Sequence, residues 1–253
     1  MKRIDLNADL GEGYGPWRMG DDAALFRVVT SANVACGGHA GDPDVMRATV
    51  RLARSHNVTV GAHPGYADRT GFGRRIIPMS GDEITAMVAA QIGSLIGVAA
   101  LEGVDVRYVK AHGALANLAA DDAPTAEAVV RAIRAVSKDL AILAISGTTL
   151  EDVARAEGAE VYLEVFADRA YRDDGRLVSR CEAGAMITDP DAAAERLLTF
   201  LESGEMPTHA GRTIPLAAHS ICVHGDSPEA VAMASRVRST LEAAEITVAT
   251  FIG

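Results

Sequence analysis

Six times in this chain an apolar run gives way to ionisable side chains: Asp9 with Glu12, His39, His63, Lys110 with His112, Asp168 with Arg169, and His224 with Asp226. A carboxylate or imidazole can take a proton from water, which makes Asp9, His63 and His112 candidate general bases. Lys110, Arg69 and Arg74 carry the charge, and the arginines the fork geometry, to hold a carboxylate or phosphate. Glu12 suits proton chemistry or the orienting of its own loop, and Asp168 beside Arg169 suits an anion site or a structural ion pair. Imidazole nitrogens and carboxylate oxygens also ligate divalent metals, so Asp9, His39, His63, His112 and His224 form a candidate metal set. Each of these lies on a different predicted strand, so their spacing alone does not distinguish a metal from proton transfer.

The most heavily loaded stretch is 61–75, where a short apolar strand ends at His63 and a loop with Arg69, Arg74 and Arg75 follows. A connection that only turned the chain would need about two to six residues. Gly65, Gly71 and Gly73 leave room for backbone to approach a ligand closely. Loops on a rigid scaffold are where binding and catalysis concentrate.

The elements that position these residues are legible from periodicity. Residues 3–9 alternate strictly, with Ile4, Leu6 and Ala8 on one side and Asp5, Asn7 and Asp9 on the other. That is a strand, and inside a barrel its polar side would be costly unless a site used it. Further strands are expected at 31–36, 58–62, 106–109, 140–145, 160–166, 220–223 and 247–252. Tyr108, Lys110 and His112 share one parity, as do Tyr162, Glu164 and Phe166. Helices are expected near 22–28, 43–55, 82–102, 122–137, 148–157, 190–203 and from about 228 to 244. Asp21 or Asp22, Asp42 before Pro43, Ser80 or Asp82, and Asp226 or Ser227 are their caps. His56 reads as a C-terminal helix residue and His209 and His219 as structural or surface residues. Residues 171–187 have no helical period, and 204–218 read as loop with a short extended piece at Thr213 and Ile214.

Strand–helix alternation over 253 residues predicts one α/β domain, a distorted seven- to eight-stranded β/α barrel, with a doubly wound open sheet as the alternative. In either fold the residues after the strands line the ligand-binding face. A net charge of −10 argues against nucleic acid and anionic membranes as partners. No apolar stretch near bilayer-spanning length is evident, and the start is unlike a signal peptide. Three cysteines without metal-ligand spacing suggest a reduced, cytoplasmic protein. Cys36 beside Gly37 and Gly38 is a conceivable nucleophile, although Cys36 and Cys222 read more simply as small buried hydrophobes. The glycines at 11, 13 and 15 lack dinucleotide spacing, and no Walker-type phosphate loop is present.

Seven blocks, in order, resemble the LamB/YcsF family: DLNADLGE (5–12), NVACGGHAGD (33–42), GAHP (61–64), DR with GFGRR (68–75), KAHGAL (110–115), EVFADRAY (164–171) and ICVHGD (221–226). They span nearly the whole chain and include Asn7 and Asn33 among the matched polar positions. Ala111, Ala116 and the segment Gly65, Tyr66, Ala67 depart from the family's usual residues but spare the ionisable ones. The resemblance implies a barrel similar to glycoside hydrolases and polysaccharide deacetylases. It implies ring opening of 5-oxo-L-proline to L-glutamate coupled to ATP hydrolysis, in a complex with two other 5-oxoprolinase subunits, the B and C components. A lactam carbonyl is a weak electrophile, and phosphorylating its oxygen would make it reactive to water. ATP would then be bound by another kind of site here or by the partner subunits. Two readings stay open beside this one: a divalent-metal amidase or deacetylase, and a non-catalytic component that delivers substrate.

Overall fold

The computed structural model describes residues 2–226 and 229–253. Seven parallel strands close into a barrel: β1 (Arg3–Leu10), β2 (Ser31–Ala35), β3 (Thr59–His63), β4 (Val106–Val109), β5 (Ala141–Ile145), β6 (Val161–Phe166) and β9 (Ser220–Val223). Closure comes from β9, which pairs with β6 on one side and with β1 on the other. The open sheet is thereby excluded. Between β6 and β9 lies a small antiparallel hairpin, β7 (Glu205–Pro207) with β8 (Thr213–Pro215). It occupies part of what reads as loop in the sequence, since three-residue strands give almost no periodic signal.

Helices α1 (Asp22–Leu25), α2 (Pro43–His56), α3 (Gly81–Ala100), α4 (Gly113–Ala119), α5 (Ala123–Val136), α6 (Thr149–Ala156), α7 (Pro190–Ser203) and α8 (Ala230–Ala243) complete the fold. Most begin as their capping residues dictate. Asp42 accepts from the amides of Asp44 and Val45 ahead of Pro43, and Ser80 with Glu83 makes a reciprocal capping box. The start of α8 differs from expectation. Its N-cap is Glu229, and Asp226 is engaged instead by Arg74; the alternative cap, Ser227, lies outside the described residues. Helix α4, unmarked by any capping side chain, begins directly after His112.

Contrary to the sequence expectation, α3 is long and apolar enough by composition to cross a membrane. Its position in the barrel accounts for those residues: Ile84, Val88, Ile92, Leu95 and Ala99 are buried, and it packs on β3, β4, α2 and α5. Gln91 on the same face clasps the loop after β3, donating to Gly65 O at 2.7 Å and accepting from Gly65 N at 3.1 Å.

The predicted final strand is only β10 (Thr247–Val248), which pairs with Arg3 and Ile4 at the start of β1. Phe251 and Ile252 leave the sheet and close the lower end of the barrel. The Phe251 ring sits 5.0 Å from that of Tyr108 and 4.7 Å from that of Tyr162. There Ile252 is buried and Phe251 packs partly buried against the same cluster.

The barrel interior is polar where β1 predicted it would be. Asp5, Asn7 and Asp9 are all buried, and neighbouring strands meet them with Ser31, Asn33, Tyr108, Glu164 and Ser220. Space for this is made at Gly61, where a Cβ would run into the Tyr108 ring. Lower down, Asp5 accepts from the hydroxyls of Thr30, Ser31 and Ser220, so its carboxylate is satisfied without a cation.

Candidate functional site

Above that layer the polar groups become charged. Lys110, which follows β4, is 4% exposed. Its Nζ donates to Asp9 Oδ1 at 3.0 Å, and Glu164 Oε2 and Cys222 Sγ each lie at the same 3.0 Å. Asn33 donates to Asp9 Oδ1 at 2.8 Å and to Asn7 Oδ1 at 2.7 Å, while Tyr108 OH donates to Asn33 Oδ1 at 2.7 Å. Burial alone would raise Asp9, but His63 and Lys110 outweigh it and hold its carboxyl well below the usual range. Burial likewise opposes charge on Lys110, yet Asp9 foremost holds it well above its ordinary value. Glu164, raised by burial against the pull of Lys110, is the weaker acid of the two. Lys110 thus stands between two carboxyls, the strongly acidic Asp9 and the weaker acid Glu164.

A second cluster stands beside the first. His63 ends β3, His39 lies in the turn after β2, His112 precedes α4, and Glu12 follows β1; all four are buried. The rings of His39 and His112 stack with centroids 3.6 Å apart. His39 Nε2 meets Glu12 Oε1 at 3.1 Å. A carbonyl can only accept, so His63 Nδ1 donates to Lys110 O at 2.8 Å and His112 Nε2 donates to Phe72 O at 2.8 Å. Were both rings neutral, these partners would assign their tautomers and leave two lone pairs, on His63 Nε2 and His112 Nδ1, facing each other at 3.0 Å. Two facing lone pairs repel unless a proton or a cation sits between them. His39 Nδ1 is also buried without a partner among the described residues. Ligand atoms of Glu12, His39, His63 and His112 all fall within 4.8 Å of one another. This nitrogen-rich set with one carboxylate suits a divalent transition metal. In the cluster as it stands, burial and nearby Asp9 push Glu12 well above its usual value, and burial with the crowding of imidazoles pushes His39 and His112 well below theirs.

The glycines of the loop after β3 serve this cluster rather than a ligand's backbone approach. A Cβ on Gly73 (φ +61°) would lie 2.7 Å from His39 Cβ and 2.9 Å from the His112 ring. The room at Gly71 is taken by Asp68 and Arg75, which pair with each other.

A cavity of about 570 Å³ opens over both clusters, lined among others by Asp9, His63, Lys110, His112, Glu164 and His224. Side chains from five strand ends thus meet at one mouth. Asn33 lies beneath it and donates to Asp9, with Asn7 linking Asn33 to Ser220, while Glu12 and His39 stand behind His63 and His112. His224 is on the opposite wall, paired through Nδ1 with Asp168 at 2.8 Å, so it is not part of the four-residue cluster. That contact outweighs burial and keeps Asp168 below the usual carboxylate range. Asp168 and Arg169 do not pair, because successive residues after a strand project to opposite sides; Arg169 donates to Val178 O instead. Arg74 reaches the cavity rim and pairs with Asp226 at 2.6 Å. Arg69 does not reach it. Its guanidinium covers the Tyr14 ring at 4.0 Å and donates to Gly37 O.

Cys36 is buried, donates to Val34 O, and has its thiol pushed up to about 12 by burial, which leaves it inert. Arg180 lines the cavity without any mark in the sequence, and Glu164 and Cys222, read there only as a strand residue and a small buried hydrophobe, both contact Lys110. The parity of β6 carried a signal for Glu164; none existed for Arg180, which sits in the aperiodic stretch 171–187.

Residues 4–253 match the profile described as the LamB/YcsF family. The chain is 51% identical over 253 residues to a 5-oxoprolinase A component of Pseudomonas syringae pv. tomato, covering 100% of this chain and 99% of that one. It is 52% identical over 250 residues to the 5-oxoprolinase A component of Chloroflexus aggregans, covering 99% of each. A crystal structure of a lactam utilization protein from Thermus thermophilus superposes with a TM-score of 0.93 at 42% identity, covering 98% of this chain and 99% of that one.

Proposed function

Because this chain belongs to the LamB/YcsF family, we propose that it is the A component of an ATP-dependent 5-oxoprolinase. In this reading it opens the lactam of 5-oxo-L-proline to L-glutamate, working with the B and C components as partners. The observation that carries the chemical part is the buried Lys110–Asp9 pair, set 3.4 Å from His63 (Asp9 Oδ2 to Nε2) at the floor of an open cavity. Such a group of buried charges is costly to fold and suits a site that moves protons.

The lactam carbonyl needs activation, and phosphorylation of its oxygen by ATP supplies it. With no phosphate loop in the chain, the partner components are assigned that step. Water then adds to the activated carbon. Asp9, with His63 or His112, takes a proton from that water, and the proton returns to the ring nitrogen as the carbon–nitrogen bond breaks, leaving an acyl phosphate whose hydrolysis by a second water releases inorganic phosphate and L-glutamate. Lys110 stays protonated between Asp9 and Glu164 and stabilises negative charge developing on oxygen. Arg74 at the rim and His224, held by Asp168, contact the rest of the substrate. The test is glutamate formation from 5-oxoproline and ATP by the chain with and without the B and C components. Release of glutamate only by the full set is expected, and its absence from the reconstituted complex would overturn the assignment.

A second reading is favoured by the two facing lone pairs of His63 and His112. Glu12, His39, His63 and His112 would hold a divalent metal, which when bound would act as a Lewis acid on a carbonyl or phosphoryl oxygen. Elemental analysis of the purified chain is expected to give close to one equivalent of metal, lost in His39→Ala and on chelation, with a fall in thermal midpoint. Metal content at background, with a midpoint indifferent to chelator, leaves a shared proton as the bridge between the two rings.

A further inference from the structure

Four arginines line the cavity, and they divide by what holds them. Arg74 pairs with Asp226, and Arg176 pairs with Asp121 while donating to Gly147 O at 2.8 Å. Arg169 and Arg180 have no carboxylate at ion-pair distance among the described residues. Arg169 is 5% exposed. One guanidinium nitrogen donates to Val178 O at 2.6 Å, and its buried Nε has no partner among the described residues. Arg180 is half-buried and makes only a weak contact, Nη1 to Met186 Sδ at 3.6 Å. Asp168, beside Arg169 in sequence, is spent on His224, and Glu182, near Arg180, on Arg172.

Burying guanidinium charge without a counter-charge is strongly unfavourable, and arginine does not escape by losing its proton. Burial and the neighbouring Arg180 already pull Arg169 down to about 10, and burial and Arg74 lower Arg180. Yet the chain builds this arrangement deliberately. The stretch after β6 folds back on itself through Val178 N to Ala170 O, Ala170 N to Ala185 O and Ile187 N to Asp168 O. Those backbone pairings fix the wall that carries Arg180 to the cavity.

We propose that Arg169 and Arg180, with Arg74 at the rim, form an oxyanion-binding subsite of this cavity that takes the carboxylate or the phosphoryl group of the substrate. Forked donors match either group bidentately. Which molecule carries the oxyanion rests on the lactam-opening function proposed above; the subsite itself does not.

Calorimetric titration of the full chain and of its reconstituted complex, with inorganic phosphate and with 5-oxoproline as separate probes, tests it. Arg180→Gln is expected to weaken the bound probe by about 10- to 100-fold, the usual scale for a charge-assisted contact. Arg169→Lys should weaken it in the same direction. Arg212→Gln, an equal charge change at an exposed arginine paired with Asp173, should leave binding unchanged. Dependence of 5-oxoproline on Arg180 identifies the carboxylate as the ligand group, and dependence of phosphate alone identifies the phosphoryl group. Wild-type protein that saturates with neither probe, or Arg180→Gln that binds as wild type, overturns the subsite. Arg180-dependent binding in a complex that releases no glutamate would instead overturn the function and leave the subsite standing.

Discussion

Asp9→Asn should lower glutamate release by the reconstituted complex by about 10²- to 10⁴-fold, the range that a positioned general base contributes. The substitution keeps the size of the side chain. Its remaining oxygen can still accept from Asn33 at 2.8 Å and from Lys110 at 3.0 Å, so the floor of the cavity keeps its architecture. What disappears is the negative charge that faces His63 Nε2 at 3.4 Å. Steady-state glutamate assays with a matched thermal melt check this. A folded Asp9→Asn complex within about tenfold of wild type would exclude Asp9 from the proton transfer. It would also favour a component that delivers substrate without acting on it.

Lys110→Met should have the largest effect on stability. It leaves two buried carboxylates, Asp9 and Glu164, without the ammonium group that sits 3.0 Å from each. Breaking a buried pair from one side costs about 3–5 kcal/mol, because the surviving charge stays desolvated. The pH dependence follows in sign. In wild type, Asp9 is held below its unfolded value, so its contribution is present above that value and fades as acid protonates it. Without Lys110, burial raises both acids, and the variant should recover stability relative to wild type as pH falls. Urea unfolding at neutral and mildly acidic pH measures both. Adding Glu164→Gln to Lys110→Met should restore part of the loss by removing one of the orphaned charges. An unchanged unfolding midpoint in Lys110→Met would mean that the three groups do not act as a unit.

The two substitutions separate what a shared network joins. Asp9→Asn keeps the network and removes a base, whereas Lys110→Met removes the counter-charge on which the fold itself relies. Groups in one hydrogen-bonded set are not additive, so the double variant is the informative one.

Much of this arrangement was legible before any coordinates. The strict alternation of residues 3–9 placed Asp5, Asn7 and Asp9 on one side, and a closed barrel has only one polar side to give them. The shared parity of Tyr108 and Lys110 did the same on β4. Ionisable residues after successive strands had to gather at one rim, because parallel strands all end there. Capping residues fixed most helix starts, since those are contacts within about three positions in the chain.

The partners of those residues were not legible. Asp168 turned to His224 rather than to Arg169 beside it, a contact across 56 positions. Glu12 joined three imidazoles from three other elements. Gly65, Gly71 and Gly73, which read as room for a ligand, hold space for the protein's own His39, His112, Asp68 and Arg75. Arg180 arrived from a stretch with no periodicity at all, carried in by backbone pairings that leave no mark on composition. Sequence by itself determined which side each strand residue faces and at which end of the barrel the chemistry gathers, because both follow from local backbone geometry. Only the closed barrel decided which of the gathered charges touch, because those distances depend on strand register and on how loops fold over the mouth.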